Sequence, residues 1–162
     1  MNEDYYNESD IVKDFRLPCL CTNNEEKECS LKELSKDKHT ILYFYPKDNT
    51  YGCTKEAQDF RDSMDYFKEK FVVCGISPDS IESHKRFKQK HDLNFYLLSD
   101  KEKTIMKKFN AFGEKKMYGK VRMGVIRSTF ILDKDLKIVK SWRNVRAKGH
   151  VEKIIEWINK NI

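Results

Sequence analysis

No run of apolar residues in this chain approaches the length that a bilayer crossing demands, so a transmembrane helix is excluded and no membrane partner is expected. The opening residues, Met1 to Asp10, lack the basic and apolar character of a secretory or mitochondrial presequence. They are acidic and polar, and residues 1–12 are expected to form a loosely ordered lead-in. Internal repeats and low-complexity linkers are absent, and only three prolines punctuate the chain (Pro18, Pro46 and Pro78), so a single domain over 1–162 is expected. A strong charge of one sign is missing too. The 32 Lys and Arg against 26 acidic residues leave a formal +6 spread along the whole chain. A stretch such as Lys85-Arg86-Phe87-Lys88-Gln89-Lys90 has the spacing of a solvated helix face, which argues against a nucleic-acid partner.

The cysteines add a further absence. There are five (Cys19, Cys21, Cys29, Cys53 and Cys74), an odd number in a chain without a presequence. That speaks against a disulfide framework and for a reducing, cytoplasmic setting. No Cys-x-x-Cys occurs; Cys19 and Cys21 form a Cys-x-Cys, Cys29 lies farther on, and the nearest histidine, His39, completes no zinc pattern. No metal site and no organic cofactor are therefore expected.

What is present reads as alternating strands and helices. Ser30 and Glu33 form a capping box ahead of a short helix bearing Leu31 and Leu34. Thr40 to Tyr45 is a continuous apolar run of strand length, ended by Pro46. Ala57, Phe60, Met64, Phe67 and Phe71 then recur at steps of three and four, which predicts a helix from about Cys53 to Lys70. A buried strand at Phe71–Ile76 follows, then a helix after Pro78-Asp79-Ser80, a strand at Phe95–Leu98 and a helix around Ile105, Met106 and Phe109. Beyond Gly113 the pattern turns to a hairpin, Ser128–Asp133 with Lys137–Trp142, and a closing helix bearing Val151, Ile154, Ile155 and Ile158. βαβ units followed by ββα are the order of an α/β, thioredoxin-like fold with a central mixed sheet flanked by helices.

Among the thiols, Cys53 holds the position where physics favours the anion. It follows a buried strand and a proline-bounded loop at the first turn of a helix, where free N–H groups and the helix dipole stabilise negative charge. Gly52 beside it permits close backbone approach. Cys74, inside an apolar strand, reads as a small hydrophobe.

The segment Phe44-Tyr45-Pro46-Lys47-Asp48-Asn49-Thr50-Tyr51-Gly52-Cys53-Thr54-Lys55-Glu56-Ala57 closely resembles the active-site segment of peroxiredoxins, in particular the bacterioferritin-comigratory-protein (PrxQ) subfamily. Pro46, Thr50 and Cys53 fill the signature Pro-x-x-x-Thr-x-x-Cys, and the likeness continues through Gly75–Ser80, Gly113–Lys120 and Arg127–Asp133. The resemblance implies a peroxiredoxin fold and a peroxidase reducing hydrogen peroxide and organic hydroperoxides. It implies Cys53 as peroxidatic nucleophile, Thr50 as a hydrogen-bonding partner of the peroxide, Pro46 as a shield against water and Arg127 as fixed positive charge. Thioredoxin or another thiol is the implied reductant, and a monomer the implied state.

Two departures stand out. Where many relatives carry a resolving cysteine five residues after the first, this chain has Gln58, and the alternative stretch Ile81 to Lys90 has none. The enzyme reads as one-cysteine, with Cys29, Cys19 and Cys21 as the remaining candidates for an unusual resolver. Tyr51 also stands where the family usually has proline. A non-enzymatic peroxide sensor signalling through Cys53 oxidation is the alternative from another class. A thioredoxin-like disulfide oxidoreductase is disfavoured because Thr50 occupies the place of its first cysteine.

Overall fold

The computed structural model describes residues 5–162, so the first four residues of the expected lead-in lie outside the described residues. Regular structure begins with a hairpin that hydrophobic periodicity does not reveal: Arg16–Leu20 (β1) pairs antiparallel with Glu26–Ser30 (β2), Cys19 opposite Lys27. The first three residues of β2 are exposed and charged, and only Cys29 and Ser30 turn inward, so no apolar run marks it. The capping box forms as expected. Ser30 Oγ accepts the Glu33 N–H at 3.1 Å and Glu33 Oε1 accepts the Ser30 N–H at 2.9 Å, opening Leu31–Ser35 (α1).

His39–Phe44 (β3) follows, then Tyr51–Asp62 (α2) and Met64–Phe67 (α3). The single helix expected from Cys53 to Lys70 is thus two. At Ser63 (φ −102°, ψ 3°) the N–H bonds to Phe60 O, three residues back, and helical bonding restarts from Ser63 O. Phe60 and Phe67 flank the break and both remain buried, which is why the apolar spacing runs through it unaltered. Next come Phe71–Ser77 (β4), Ile81–His91 (α4), Tyr96–Ser99 (β5) and Thr104–Lys108 (α5). A separate two-stranded ribbon, Phe112–Met117 (β6) with Lys120–Val125 (β7), precedes Ser128–Leu132 (β8), Ile138–Arg143 (β9) and His150–Asn161 (α6).

The main sheet has the order β2-β1-β5-β4-β3-β8-β9. β3–β4 and β4–β5 run parallel; β1–β5, β3–β8 and β8–β9 run antiparallel, giving the mixed α/β thioredoxin-like architecture. Because side chains alternate along each strand, the sheet carries a separate apolar layer on each face. Ile41, Tyr43, Val73, Leu97 and Ile131 face α2, α4 and α6, together with Cys53. Leu42, Phe44, Cys74, Leu98 and Phe130 face α1 and α5, together with Cys19, Cys21 and Cys29. Gly75 on β4 is required by the first layer: a Cβ there would lie 2.9 Å from the Tyr43 ring.

The described part of the lead-in is docked rather than loose. Val12 is buried and its N–H bonds to Leu136 O at 2.8 Å, Ile11 bridges to Lys137, and the Tyr6 ring packs 5.0 Å from that of Phe109. A few apolar anchors and backbone bonds to the β8–β9 turn outweigh the polar composition. Among the described residues no helix is long and apolar enough to cross a membrane.

Candidate active site

β3 ends where Pro46, lacking an N–H, follows the buried Tyr45, and the chain enters a short loop with Pro46 half-buried. Asn49 adopts a left-handed conformation (φ 64°), which an Asn side chain tolerates, and turns the chain back so that the Thr50 hydroxyl donates to Lys47 O at 2.9 Å. Thr50 is the residue before α2, but its side chain makes no capping bond to the helix, and it is exposed.

The loop is fastened from beneath by Asp48. Its backbone N–H donates to Asp79 Oδ2 (2.8 Å), while its carboxylate accepts from Tyr45 Oη (2.6 Å) and Ser83 Oγ (2.8 Å) and meets His84 Nδ1 at 2.7 Å. His84 Nε2 lies 2.9 Å from Leu98 O, an acceptor, so that nitrogen carries a proton. Asp48 and His84 are both buried, and the Asp48 carboxyl group accepts from two hydroxyls besides facing the ring.

Cys53 is the third residue of α2 and only 1% exposed. Its Sγ accepts from Arg127 Nη2 at 3.3 Å, across 74 positions of sequence. Arg127 comes from the short connection between β7 and β8, and its carbonyl accepts the Val145 N–H at 3.0 Å. The other arm of the guanidinium, Nη1, donates to Glu56 Oε1 at 2.6 Å. One planar fork thus joins the thiol to a carboxylate three residues on along the same helix. The Gly52 backbone passes so close that a Cβ there would lie 3.2 Å from Arg127 Nη2.

Glu56 is fully buried, and its Oε2 has no hydrogen-bond partner among the described residues. Burial pushes its carboxyl up to about 7, against the opposing pull of Arg127. Nearby, His150 is held down to about 4 by burial and then by Arg127, so it adds no charge at neutral pH. Lys115 on β6 also feels Arg127, its ammonium pulled down by burial and then by that neighbouring cation.

The structure therefore brings Cys53 and Arg127 into contact, with Thr50 and Pro46 on the loop leading into the same helix. It does not bring Cys19, Cys21 or Cys29 there. They lie in the opposite apolar layer, on or beside β1 and β2, with β5 and β4 between β1 and β3. Three strand spacings are about 14 Å, twice the reach of a disulfide, before the thickness of the sheet is counted. Burial also pushes the Cys19, Cys29 and Cys74 thiols upward, away from the thiolate. Gln58 instead meets His91 Nδ1 at 3.4 Å, and Tyr51 is 91% exposed, its ring turned to solvent.

Two functional features escape sequence reasoning. Glu56 lies at helical spacing from Cys53 but looks like any surface glutamate until the sheet buries it. Asp48 and His84 lie 36 positions apart and meet only through the β3–β4–β5 order.

The profile of the AhpC/TSA family matches residues 9–141, which include both Cys53 and Arg127. A putative peroxiredoxin bcp of Helicobacter pylori is 44% identical over 147 residues, 90% of this chain and 93% of that protein. Peroxiredoxin Bcp of Bacillus subtilis is 49% identical over 122 residues, 75% of this chain and 78% of that one. Among solved structures, a cysteine-to-serine mutant of PrxQ from Xylella fastidiosa superimposes with a TM-score of 0.85 at 31% identity, covering 96% of this chain and 97% of that chain. The Xanthomonas campestris bacterioferritin comigratory protein, described for its alkyl peroxide reduction activity, gives a TM-score of 0.79 at 31% identity, with 90% of each chain covered. Family, relatives and fold agree, and the chain belongs to the AhpC/TSA family as a thiol peroxidase, a peroxiredoxin of the Bcp/PrxQ branch.

Proposed function

We propose that Cys53 is the peroxidatic nucleophile of a monomeric one-cysteine enzyme, acting on hydrogen peroxide and organic hydroperoxides and regenerated by thioredoxin or another external thiol. The observation that carries this is the 3.3 Å contact of Arg127 Nη2 with Cys53 Sγ in the first turn of α2. Guanidinium and helix dipole both favour the thiolate, and the same positive charge faces the oxygen that becomes anionic as the O–O bond breaks.

In the first step Cys53 S⁻ attacks the terminal peroxide oxygen. An S–O bond forms, the O–O bond breaks, and the leaving alkoxide or hydroxide takes up a proton as alcohol or water, with Cys53 left as sulfenic acid. Thr50 has its one hydroxyl proton committed to Lys47 O, so towards a peroxide O–H it acts as an acceptor. Pro46, with no N–H and half-buried, shields the sulfur from water. In the second step an external thiol attacks the sulfenic sulfur and releases water. A second thiol then resolves the mixed disulfide, returning Cys53 and carrying the oxidising equivalents away.

The test is one equivalent of hydrogen peroxide on reduced protein, read by non-reducing intact mass and peptide mapping, beside turnover with thioredoxin and its reductase. The expected result is one oxygen on Cys53, four untouched thiols and sustained turnover. A disulfide from Cys53 to Cys19, Cys21 or Cys29 would overturn the one-cysteine cycle. A single reaction without turnover would favour a sensor, and undiminished activity in Cys53→Ser would remove Cys53 from the chemistry.

A further inference from the structure

The three cysteines that take no part at Cys53 converge on one another. Cys19 and Cys29 come from the paired strands β1 and β2, and Cys21 from the turn that joins them, where its N–H bonds to Glu25 O at 2.8 Å and its carbonyl accepts the Asn24 N–H at 2.9 Å. Their three Sγ atoms all lie within 4.8 Å of one another. Cys19, Cys21 and Cys29 are 0%, 6% and 3% exposed.

Convergence alone fits three small hydrophobes in a core. Access is what differs. A surface cavity of about 350 Å³ reaches the cluster and is lined by Cys21, Cys29, Lys27 and Tyr96. An ion therefore has a route from solvent to sulfurs that already face each other.

Metal–sulfur bonds of about 2.3 Å set sulfurs about 4.0 Å apart around a trigonal ion and about 3.8 Å apart around a tetrahedral one. The present spacing contracts to either by less than about 1 Å. The donor count separates the two. Among the described residues the cluster holds three donors and no histidine. The carboxylates of Glu25 and Glu33 line the same cavity but lie outside the cluster, Glu33 Oε1 accepting from the Ser30 N–H and Arg16 and Glu25 Oε1 meeting Asn23 and Lys27. Zinc in a closed site takes four ligands, whereas monovalent copper is a soft ion selected by thiolates. His39, the histidine nearest in sequence, packs instead on Phe71 at the far side of β4.

We propose that Cys19, Cys21 and Cys29 form a three-coordinate thiolate site for Cu(I). Three S–H groups release their protons to solvent and three Cu–S bonds form; copper enters and stays monovalent, so no electron acceptor is needed. The site then carries surplus negative charge, which Lys27 at the cavity wall offsets. Free Cu(I) splits peroxides by one electron, so this chain would hold the metal on one face of its sheet and remove the peroxide on the other. The spacing rule that set these cysteines aside looks for ligands paired along the chain; here two strands and a turn supply them.

The experiment uses the Cys53→Ser chain, so that copper cannot occupy the peroxidatic thiol. Reduced protein receives one equivalent of Cu(I) anaerobically in the presence of a competing Cu(I) chelator, is desalted, and is assayed for metal and free thiols. The expected result is one copper per chain, with no thiol made more reactive by loading; Cys74, fully buried, stays unreactive with or without the metal. Cys21→Ala and Cys29→Ala in that background should each lower copper affinity about 100-fold or more, and Cys74→Ala should not. Loss of copper from the parent, equal retention in the Cys21 or Cys29 variants, loss in the Cys74 variant, or preference for Zn(II) when both ions are offered would overturn the assignment. X-ray absorption on the copper-loaded chain decides independently of whether the variants fold: three sulfurs at about 2.3 Å support the site, and two sulfurs, or nitrogen and oxygen neighbours, refute it.

Discussion

Replacing Glu56 by glutamine tests whether the active-site arginine is shared between a thiol and a half-reluctant carboxylate. The amide keeps the shape of the side chain and an oxygen for Arg127 Nη1, which now donates to Glu56 Oε1 at 2.6 Å, and removes the charge. In the folded protein the Glu56 carboxyl sits at about 7 because burial disfavours the anion, whereas its ordinary value is 4.5. Between these two values the unfolded chain has lost the proton and the folded chain keeps it. The contribution of Glu56 to stability therefore falls as pH rises from about 4.5 to about 7, by roughly 1.4 kcal/mol per pH unit, and flattens above. The whole loss is about 3 kcal/mol, present in full below the lower value and gone above the upper one.

Glu56→Gln has no such proton to lose. Urea unfolding of both proteins from pH 5 to pH 9 should show the variant gaining stability relative to the wild type up to about pH 7; buried His150, whose depressed pKa makes both proteins firmer as pH rises towards 6.5, cancels in that difference. The kinetics carry the same signature: the pH profile of Cys53 oxidation in the wild type should bend near pH 7, where Glu56 ionises and begins to compete for Arg127, and the variant should lose that bend. Parallel stability curves for the two proteins across the whole range would refute the reasoning, because they would mean that Glu56 ionises at its ordinary value despite its bare buried oxygen.

Other outcomes follow from the same geometry. Arg127→Lys keeps a charge but not the planar fork that reaches Cys53 Sγ and Glu56 together, so stopped-flow oxidation of Cys53 should slow by roughly 10²-fold with the circular dichroism spectrum unchanged. Gly52→Ala puts a methyl 3.2 Å from Arg127 Nη2, and the guanidinium must shift by a few tenths of an ångström; oxidation should slow several-fold, and an unchanged rate would show that the contact does not position the arginine. His84→Leu strands the Asp48 carboxylate in the core, which should cost about 3–5 kcal/mol in urea unfolding. The further change Asp48→Asn should recover part of it, and a His84→Leu protein as stable as wild type would show that the ring does not hold the Asp48 side chain.

The fold was legible wherever burial is two-sided. Strands β3 and β4 are packed on both faces and show as continuous apolar runs, and the closing helix α6 shows its buried Val151, Ile154 and Ile158 at helical spacing. The β1–β2 hairpin was not legible, because a strand at the sheet edge with charged outward residues leaves no run to find. The helix break at Ser63 hid for the opposite reason: apolar side chains on either side keep step across it. The docking of Val12 and Tyr6 depends on a surface made by β9 and α5, which local composition does not describe.

At the site, the legible part was the contiguous part. Pro46, Thr50 and Cys53 sit within eight positions, and their chemistry follows from a strand end, a turn and a helix start. Arg127 carries no local mark of its partner; its place was signalled by resemblance, and the physical reason for it appears only when β8 pairs with β3 and delivers the residue preceding Ser128 to the start of α2. The cysteines illustrate the same limit from the other side. Judged along the chain, Cys19, Cys21 and Cys29 stand as candidates to resolve Cys53, since sequence distance says nothing about faces. The pleat decides the matter: residues two apart share a face, so Cys19 and Cys21 fall together with Cys29 in one layer, and the strand that leads to Cys53 presents Tyr43 and Tyr45 to the other. A single sheet thus keeps the thiol beside the guanidinium apart from the three gathered in the opposite layer, where burial pushes the Cys19 and Cys29 thiols away from the thiolate.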